Sequence, residues 1–188
     1  MGSGGTYDRA SVMNYEEYLS LVDDSHPMTT SRGHITDICE ACAGSSGTIL
    51  ELGSHAGISA AAIAMAAPQA TVIAVDLCDT VPELNRVSYW FGLRLQNITP
   101  VPADAGQYLR DAVANGLTYD VIFHDAQHGE SVVGEYVLAA SLCATLIIHD
   151  WEQLSPASQA EVAQCFVNWT ATPDRQGREL FIGYKELL

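Results

Sequence analysis

Two short clusters of histidine and aspartate hold the side chains of this chain that are best suited to chemistry. The first reads HDAQH at positions 124–128 and the second reads HDW at 149–151, and each directly follows an apolar run. A histidine can take the proton of a hydroxyl group, and two neighbouring carboxylates suit a hard divalent cation such as Mg²⁺. The clusters therefore predict general-base or metal-assisted chemistry.

The same residues have structural alternatives. An aspartate at the end of a strand often caps the next helix or turn, which is an alternative role for Asp125 and Asp150. His128 is either a base or a group that forms local hydrogen bonds. His124 and His149 alternate with apolar residues, so both are also candidates for hydrogen-bonded histidines of the core.

The stretch from Thr48 to Asp76 predicts the element around which these clusters are arranged. An apolar run at 49–52 predicts a buried parallel strand, the alanine-rich segment 58–67 a helix, and the β-branched run 71–75 a second strand. A glycine turn at 53–57 joins the first strand to the helix. This is a βαβ unit, in which free backbone N–H groups of the helix point into the crevice at the strand ends.

The glycine spacing discriminates between nucleotides. A dinucleotide fingerprint would need glycines at 55 and 58, which are His55 and Ile58 here. The observed pattern is E-x-G-x-x-x-G, from Glu51 to Gly57. Asp76 ends the second strand and suits two vicinal ribose hydroxyls, because a carboxylate accepts two hydrogen bonds. An NAD-linked Rossmann enzyme and a βαβ unit without a ligand are the alternatives.

The E-x-G-x-x-x-G turn resembles motif I of the class I S-adenosylmethionine (SAM)-dependent methyltransferases. ELGSHAGIS is similar to motif I of the catechol-type and caffeoyl-coenzyme A-type O-methyltransferases, and HDAQH with HDW resembles the pattern of the family-24 group. The resemblance covers about Met28 to Leu188. It implies SAM as cofactor, with contacts from Met28, Glu51, Gly53, Ser54, Gly57, Ser59, Asp76, Leu77, Asp104, Ala105 and Asp125.

The resemblance also implies catalytic roles for the two clusters. Asp125 and Asp150 match the two metal aspartates, and His128 stands where these enzymes have a lysine base. Trp151 replaces the asparagine ligand of the catechol-type pattern, so His149 is the candidate third ligand. Leu-Cys-Ala at 142–144 replaces the usual Pro-Gly-Gly turn. The implied metal is a divalent cation, with Mg²⁺ favoured.

The order of predicted elements and the resemblance together give a doubly wound, Rossmann-like α/β fold. We expect a seven-stranded sheet of order 3-2-1-4-5-7-6, with an antiparallel last strand and helices on both faces. Two prolines in the third strand, at 98–103, fit the edge position that this order gives it. Residues 1–32 are predicted to be an N-terminal tail and lid, and 33–188 one catalytic domain. A further helix is predicted at 83–95.

Composition restricts the partners. The net charge of −15 argues against binding to nucleic acid or an anionic membrane, and the C-x-x-C pair Cys39 and Cys42 is expected to be two buried thiols rather than a zinc or redox site. The absence of an apolar leader predicts a cytoplasmic protein. The expected function is an O-methyltransferase for a small hydroxylated molecule, with the lid helix and final hairpin as candidate homodimer contacts. The alternative is a SAM-binding protein or a lyase-type enzyme without methyl transfer.

Overall fold

The computed structural model describes residues 15–21, 30–78 and 96–186. The helices of these segments are α1 (Tyr15–Leu21), α2 (Arg32–Cys42), α3 (Ile58–Ala66), α4 (Ala105–Ala114), α5 (Val133–Leu142) and α6 (Pro156–Ala163). The strands are β1 (Thr48–Leu52), β2 (Thr71–Asp76), β3 (Ile98–Pro102), β4 (Tyr119–His124), β5 (Cys143–His149), β6 (Asn168–Pro173) and β7 (Glu179–Tyr184). The helix predicted at 83–95 and most of the predicted lid lie outside the described residues.

The strands form one seven-stranded sheet of order β3-β2-β1-β4-β5-β7-β6, as predicted. The pairs from β3 to β5 are parallel, and β7 is antiparallel to both β5 and β6. The carboxyl ends of β1, β2, β4 and β5 consequently lie along one edge of the sheet. The residues predicted to be catalytic or to bind a metal, Asp125, His128, His149 and Asp150, lie at or just after the ends of β4 and β5.

The centre of the sheet is its most apolar part. Residues of β1, β4 and β5 alternate between two faces: Leu50 and Ile122 pack towards α4 and α5, whereas Ile49 and Phe123 pack towards α2 and α3. Burial on both faces explains why these strands read as continuous apolar runs rather than as alternating ones. In contrast, every residue of the edge strand β6 is exposed.

The helix boundaries show how local sequence sets the entrance to the crevice. The Ser31 hydroxyl accepts a hydrogen bond from the backbone N–H of His34 at 3.4 Å, so α2 begins at Arg32, directly after this cap. Asp104 caps α4 in the same way, through the N–H of Gln107 at 2.8 Å. A 3₁₀ turn precedes α5, and β5 starts directly after this helix, at Cys143.

Two further predictions concern cysteines and membranes. All five cysteines are free, and Cys39 and Cys42 are buried on α2, where desolvation raises the pKa of both thiols. Their position in the core accounts for both residues, so neither a zinc site nor a disulfide is needed to explain the pair. Among the helices described, none has the length and apolar character needed to span a bilayer.

Candidate active site

The turn after β1 forms the floor of the crevice. Gly53 has a φ of +91°, and a Cβ atom there would lie 2.5 Å from the backbone of Asp125 and Ala126. A glycine at this position lets a ligand approach the backbone closely. The structure adds a different reason, because the chain leaving β4 passes directly against it. Gly57, at φ +73°, starts α3 as its N-cap.

Asp76 lies opposite this turn and helps to shape it. Its two carboxylate oxygens accept hydrogen bonds from the backbone N–H groups of His55, at 2.8 Å, and Cys78, at 2.9 Å. Each carboxylate oxygen can accept a second bond, so both remain able to receive ligand hydroxyls. Gly53 and Asp76 border the same cavity of about 400 Å³, which also reaches the two histidine-aspartate clusters.

A smaller cavity of about 60 Å³ continues from Asp76 towards the start of α4. Leu77, Asp104 and Ala105 line it, together with Ala126 and Gln127. One oxygen of Asp104 caps α4, which leaves the other oxygen for a ligand. Sequence reasoning missed Gln127; its signal was its position just after β4, beside the segment that packs on Gly53.

Glu51 lies beneath the turn and is completely buried. The Ser59 hydroxyl donates a hydrogen bond to its Oε1, while Oε2 has no partner among the described residues. Burial raises the pKa of Glu51 to about 8, and the nearby charges of Asp125 and Asp76 act in the same direction. A buried carboxyl oxygen without a partner is costly, so a ligand donor at this point would stabilise it.

The two predicted clusters meet at the ends of β4 and β5. His149 Nδ1 lies 3.0 Å from Asp125 Oδ1 and 3.3 Å from Asp150 Oδ1. His128 Nε2 lies 3.7 Å from a carboxylate oxygen of each aspartate. The structure therefore brings together Asp125, His128, His149 and Asp150, as the strand order predicts.

Thr30 joins this group from a distant part of the chain. Its hydroxyl donates a hydrogen bond of 2.9 Å to Asp125 Oδ2, and the residue is buried. The other carboxylate oxygen of Asp125 faces His149, so Asp125 is held from both sides. Sequence reasoning did not identify Thr30 as a site residue, because its partner Asp125 lies 95 residues further along the chain.

The ionisation of His149 depends on these carboxylates. Burial lowers the pKa of this imidazole, but the hydrogen bond that His149 donates to Asp125 and the charges of Asp125 and Asp150 outweigh burial and raise the pKa overall. Because Nδ1 faces Asp125, this nitrogen carries the proton and donates. The other ring nitrogen, Nε2, is buried and has no partner among the described residues.

Backbone strain is concentrated in the same crevice. His55, at φ +40°, and Asp150, at φ +56°, are the non-glycine residues with positive φ in the part of the chain that the structure describes. Such conformations cost about 1–3 kcal/mol each and cluster at functional sites. The left-handed conformation of Asp150 directs the chain away from β5 just after His149.

His124 is a core residue, which matches its structural alternative. It is completely buried, its Nε2 lies 3.3 Å from Glu135 Oε2, and its ring packs edge-on against Tyr136. It therefore supports the underside of the crevice rather than lining it.

The predicted divalent cation is not supported by the arrangement of these side chains. Among residues 15–21, 30–78 and 96–186, no three His, Cys, Asp or Glu side chains could hold a metal ion. Asp125 and His149 face each other at hydrogen-bond distance instead of a common central point. Asp125, Asp150 and His149 are neighbours, but as they stand they do not form a cation site.

The remaining predicted cofactor residues fall around the turn. Ser54 and Ser59 line a cavity of about 40 Å³ with Gly53, and the buried Ser54 hydroxyl has no partner among the described residues. Met28 lies outside the described residues. Asp76, Leu77, Asp104, Ala105 and Asp125 line the two adjoining cavities described above, whereas Glu51 is buried beneath the turn and Gly57 is the N-cap of α3.

Comparison with known proteins supports the fold. No protein-family model matches the chain, and no curated protein matches its sequence. Solved structures do match it. An O-methyltransferase from Bacillus cereus in complex with S-adenosylhomocysteine (SAH) shares 15% identity, with a TM-score of 0.61 over 89% of this chain and 88% of that one.

Two further solved structures give the same result. A SAM-dependent methyltransferase from Agrobacterium tumefaciens matches at 15% identity and a TM-score of 0.62, over 82% of this chain and 61% of that one. A Streptococcus mutans chain described as a SAM-dependent methyltransferase matches at 17% identity and a TM-score of 0.60, over 78% of this chain. The present chain spans about half, 47%, of that protein. It has the fold of the SAM-dependent methyltransferases.

Proposed function

We propose that this protein is a SAM-dependent methyltransferase that acts on a hydroxyl group of a small molecule. The observation that carries the proposal is the continuous crevice in which the Gly53 turn and Asp76 open directly onto the Asp125–His149 pair. This geometry supplies a nucleoside site and a proton acceptor side by side. The match to a Bacillus cereus O-methyltransferase supports the same chemistry.

The residues of the crevice fit SAM. Asp76 can accept from the ribose hydroxyls, and the free oxygen of Asp104 can accept from the adenine amino group. The unpartnered Glu51 Oε2 and Ser54 Oγ beneath the turn fit the polar amino-acid end. When bound, SAM supplies a methyl group on a positively charged sulfur, which an oxygen nucleophile can accept.

The Asp125–His149 pair is suited to remove the proton of the acceptor hydroxyl. Asp125 fixes the Nδ1–H form of His149, which leaves the lone pair of Nε2 to take a proton. Asp150 adds a second negative charge that stabilises the imidazolium form. The proton leaves the hydroxyl for His149, and the products are a methyl ether and SAH.

His128 is the second candidate base, in the position suggested by the sequence. It is more exposed than His149, with 26% of its side chain accessible against 4%, and lies 3.7 Å from both aspartates. Greater exposure allows faster exchange of the proton with solvent. We propose that His149 receives the proton and that His128 passes it outwards.

The first experiment is calorimetry with SAH, followed by mass spectrometry of a panel of phenols and sugars incubated with SAM. We expect binding and a methylated product. Replacing His149 by Gln should lower kcat by about 100-fold, the lower end of what a general base contributes. Loss of SAH binding in the native protein would refute the proposal, and binding without any transfer would favour the SAM-binding alternative.

The same assay tests metal assistance. The proposed proton transfer runs from the hydroxyl to an imidazole and requires no cation, so EDTA should leave the rate unchanged. A rate that falls in EDTA and returns with Mg²⁺ would instead favour the metal mechanism. The cytoplasmic location and the homodimer stay predictions, and size-exclusion chromatography with light scattering tests the latter.

A further inference from the structure

A second cavity lies beside the catalytic cluster, between the first turn of α2 and the turn that joins β6 to β7. Its volume is about 580 Å³, and its polar walls include Arg32, His34 and Asp37 on α2 with Asp174 and Arg175 on the hairpin turn. The ring centroids of His34 and His149 are 5.4 Å apart. A molecule in this cavity would therefore lie next to the proposed base.

His34 presents a hydrogen-bond acceptor at the boundary between the two sites. Its Nε2 lies 3.0 Å from the carbonyl oxygen of Thr172. A carbonyl only accepts, so Nε2 carries the proton and Nδ1 keeps a lone pair. The residue is only 2% exposed, and Nδ1 has no partner among the described residues. A buried acceptor without a partner fits a ligand hydroxyl.

The charge around this cavity differs from that of the whole chain. The protein has a net charge of −15 and only eight basic residues. Arg32 and Arg175 line this cavity, and Arg178 lines the adjoining catalytic cavity. A local concentration of arginine on an acidic protein attracts anions, and guanidinium groups bind carboxylates and phosphates well.

The acidic residues of the cavity oppose this charge only in part. Both oxygens of Asp174 are engaged: Oδ2 lies 2.9–3.0 Å from the guanidinium of Arg178, and Oδ1 accepts from the backbone N–H of Gln176 and Arg178. These contacts lower the pKa of Asp174 to about 2 against the effect of burial, so its charge is matched within the hairpin. Asp37 contributes one carboxyl group to the cavity wall, and burial raises the pKa of this group.

We propose that this cavity, defined by Arg32, His34 and Arg175, is the acceptor subsite, and that the acceptor is a hydroxylated small molecule bearing an anionic group. The inference rests on the proposed methyl transfer. The anion, a carboxylate or a phosphate, binds at Arg32 and Arg175. A hydroxyl donates to His34 Nδ1, and the reacting hydroxyl reaches the Asp125–His149 pair.

Matched probes test the charge requirement. SAH-loaded protein is titrated by calorimetry with 3,4-dihydroxybenzoate against neutral 3,4-dihydroxybenzyl alcohol, and with glycerol 3-phosphate against glycerol. The charged member of one pair should bind about 10-fold more tightly, as expected for a charge-assisted hydrogen bond. The pair that shows the preference distinguishes a carboxylate from a phosphate.

Two variants test whether Arg175 is responsible for the preference for the charged probe. Arg175→Gln should remove the preference for the charged probe without changing the affinity for SAH. Arg110→Gln is the matched control, because Arg110 is an exposed arginine on α4 whose side chain bonds Gln107. Equal binding of the charged and neutral members in both pairs, or no binding of any probe at about 10 mM, would overturn the proposal. So would an unchanged preference in Arg175→Gln.

The role of His34 has its own readout. Long-range ¹H–¹⁵N NMR, assigned with His34→Gln, should show the neutral Nε2–H form, with a Nδ1 resonance that shifts when the dihydroxy probe is added. A proton on Nδ1 would contradict the subsite. SAH affinity is measured separately: failure there refutes methyl transfer, and the probe titrations of unloaded protein still decide the anion site.

Discussion

Replacing Glu51 by Gln should change how the stability of the protein depends on pH. Glu51 is completely buried on β1, and desolvation raises the pKa of its carboxyl from 4.5 to about 8. Ser59 donates a hydrogen bond that opposes the shift, whereas Asp125 and Asp76 reinforce it. Gln has nearly the same shape, can still accept from Ser59 and does not titrate.

The size of the expected change in stability follows from the difference between the pKa of Glu51 in the folded state and its pKa in the unfolded state. Between about pH 4.5 and 8 the folded protein keeps a proton on Glu51 that the unfolded chain releases. The contribution of the Glu51 carboxyl to the free energy of unfolding is fully present below pH 4.5 and is lost as the pH rises through about 8. At 1.36 kcal/mol for each pH unit, the loss over this window is about 5 kcal/mol.

Urea unfolding measured from about pH 5 to about pH 9 provides the assay. The free energy of unfolding of Glu51→Gln should exceed that of the native protein increasingly as the pH rises. Groups such as His149 titrate in both proteins, so the difference between the two curves isolates Glu51. Glu40→Gln, an exposed change on α2, is the control. Parallel curves for native protein and Glu51→Gln would refute the reasoning.

Three further changes test the crevice. Gly53→Ala should lower the free energy of unfolding in urea by about 2–5 kcal/mol, because the residue has a positive φ and its new Cβ atom would overlap with Ala126. Gly116→Ala, also at positive φ but with nothing within 4 Å of the new Cβ atom, should lower it by about 1–2 kcal/mol. Asp76→Asn should weaken SAH binding in calorimetry by about 10-fold or more. Asp120→Asn, which removes the charge of another carboxylate that accepts from a backbone N–H, that of Gly47, should leave the affinity for SAH unchanged. Thr30→Val should lower kcat with little change in SAH affinity, because Asp125 loses one of its two supports; an unchanged kcat would contradict that role.

The order of the strands was predicted from the resemblance to the class I methyltransferases, and local signals in the sequence agree with it. Pro100 and Pro102 exclude β3 from the centre of a sheet, and continuous apolar runs in β1, β4 and β5 indicate burial on both faces. The exact helix starts were harder to predict. Ser31 and Asp104 cap their helices through side-chain bonds whose formation depends on local backbone geometry.

The site was predictable only where its residues follow strand ends. Asp76, Asp125 and His149 belong to this group, since parallel strands bring their carboxyl ends to one edge. Thr30 and His34 do not. Thr30 contacts a residue 95 positions away and His34 one 138 positions away, so neither carries a local signal. The need for a glycine at position 53 could likewise not be predicted from local sequence, because the backbone that leaves no room for a Cβ atom there comes from the end of β4.

The two neighbouring histidines differ in the partner that fixes each ring. His34 donates through Nε2 to an uncharged carbonyl, and burial lowers its pKa, so this imidazole stays neutral and accepts. His149 donates through Nδ1 to Asp125 beside a second aspartate, and these carboxylates raise its pKa, so this imidazole can hold an added proton. Environments that separate the pKa values of adjacent groups assign them different roles in proton transfer. One ring is therefore suited to orient an acceptor hydroxyl and the other to receive its proton.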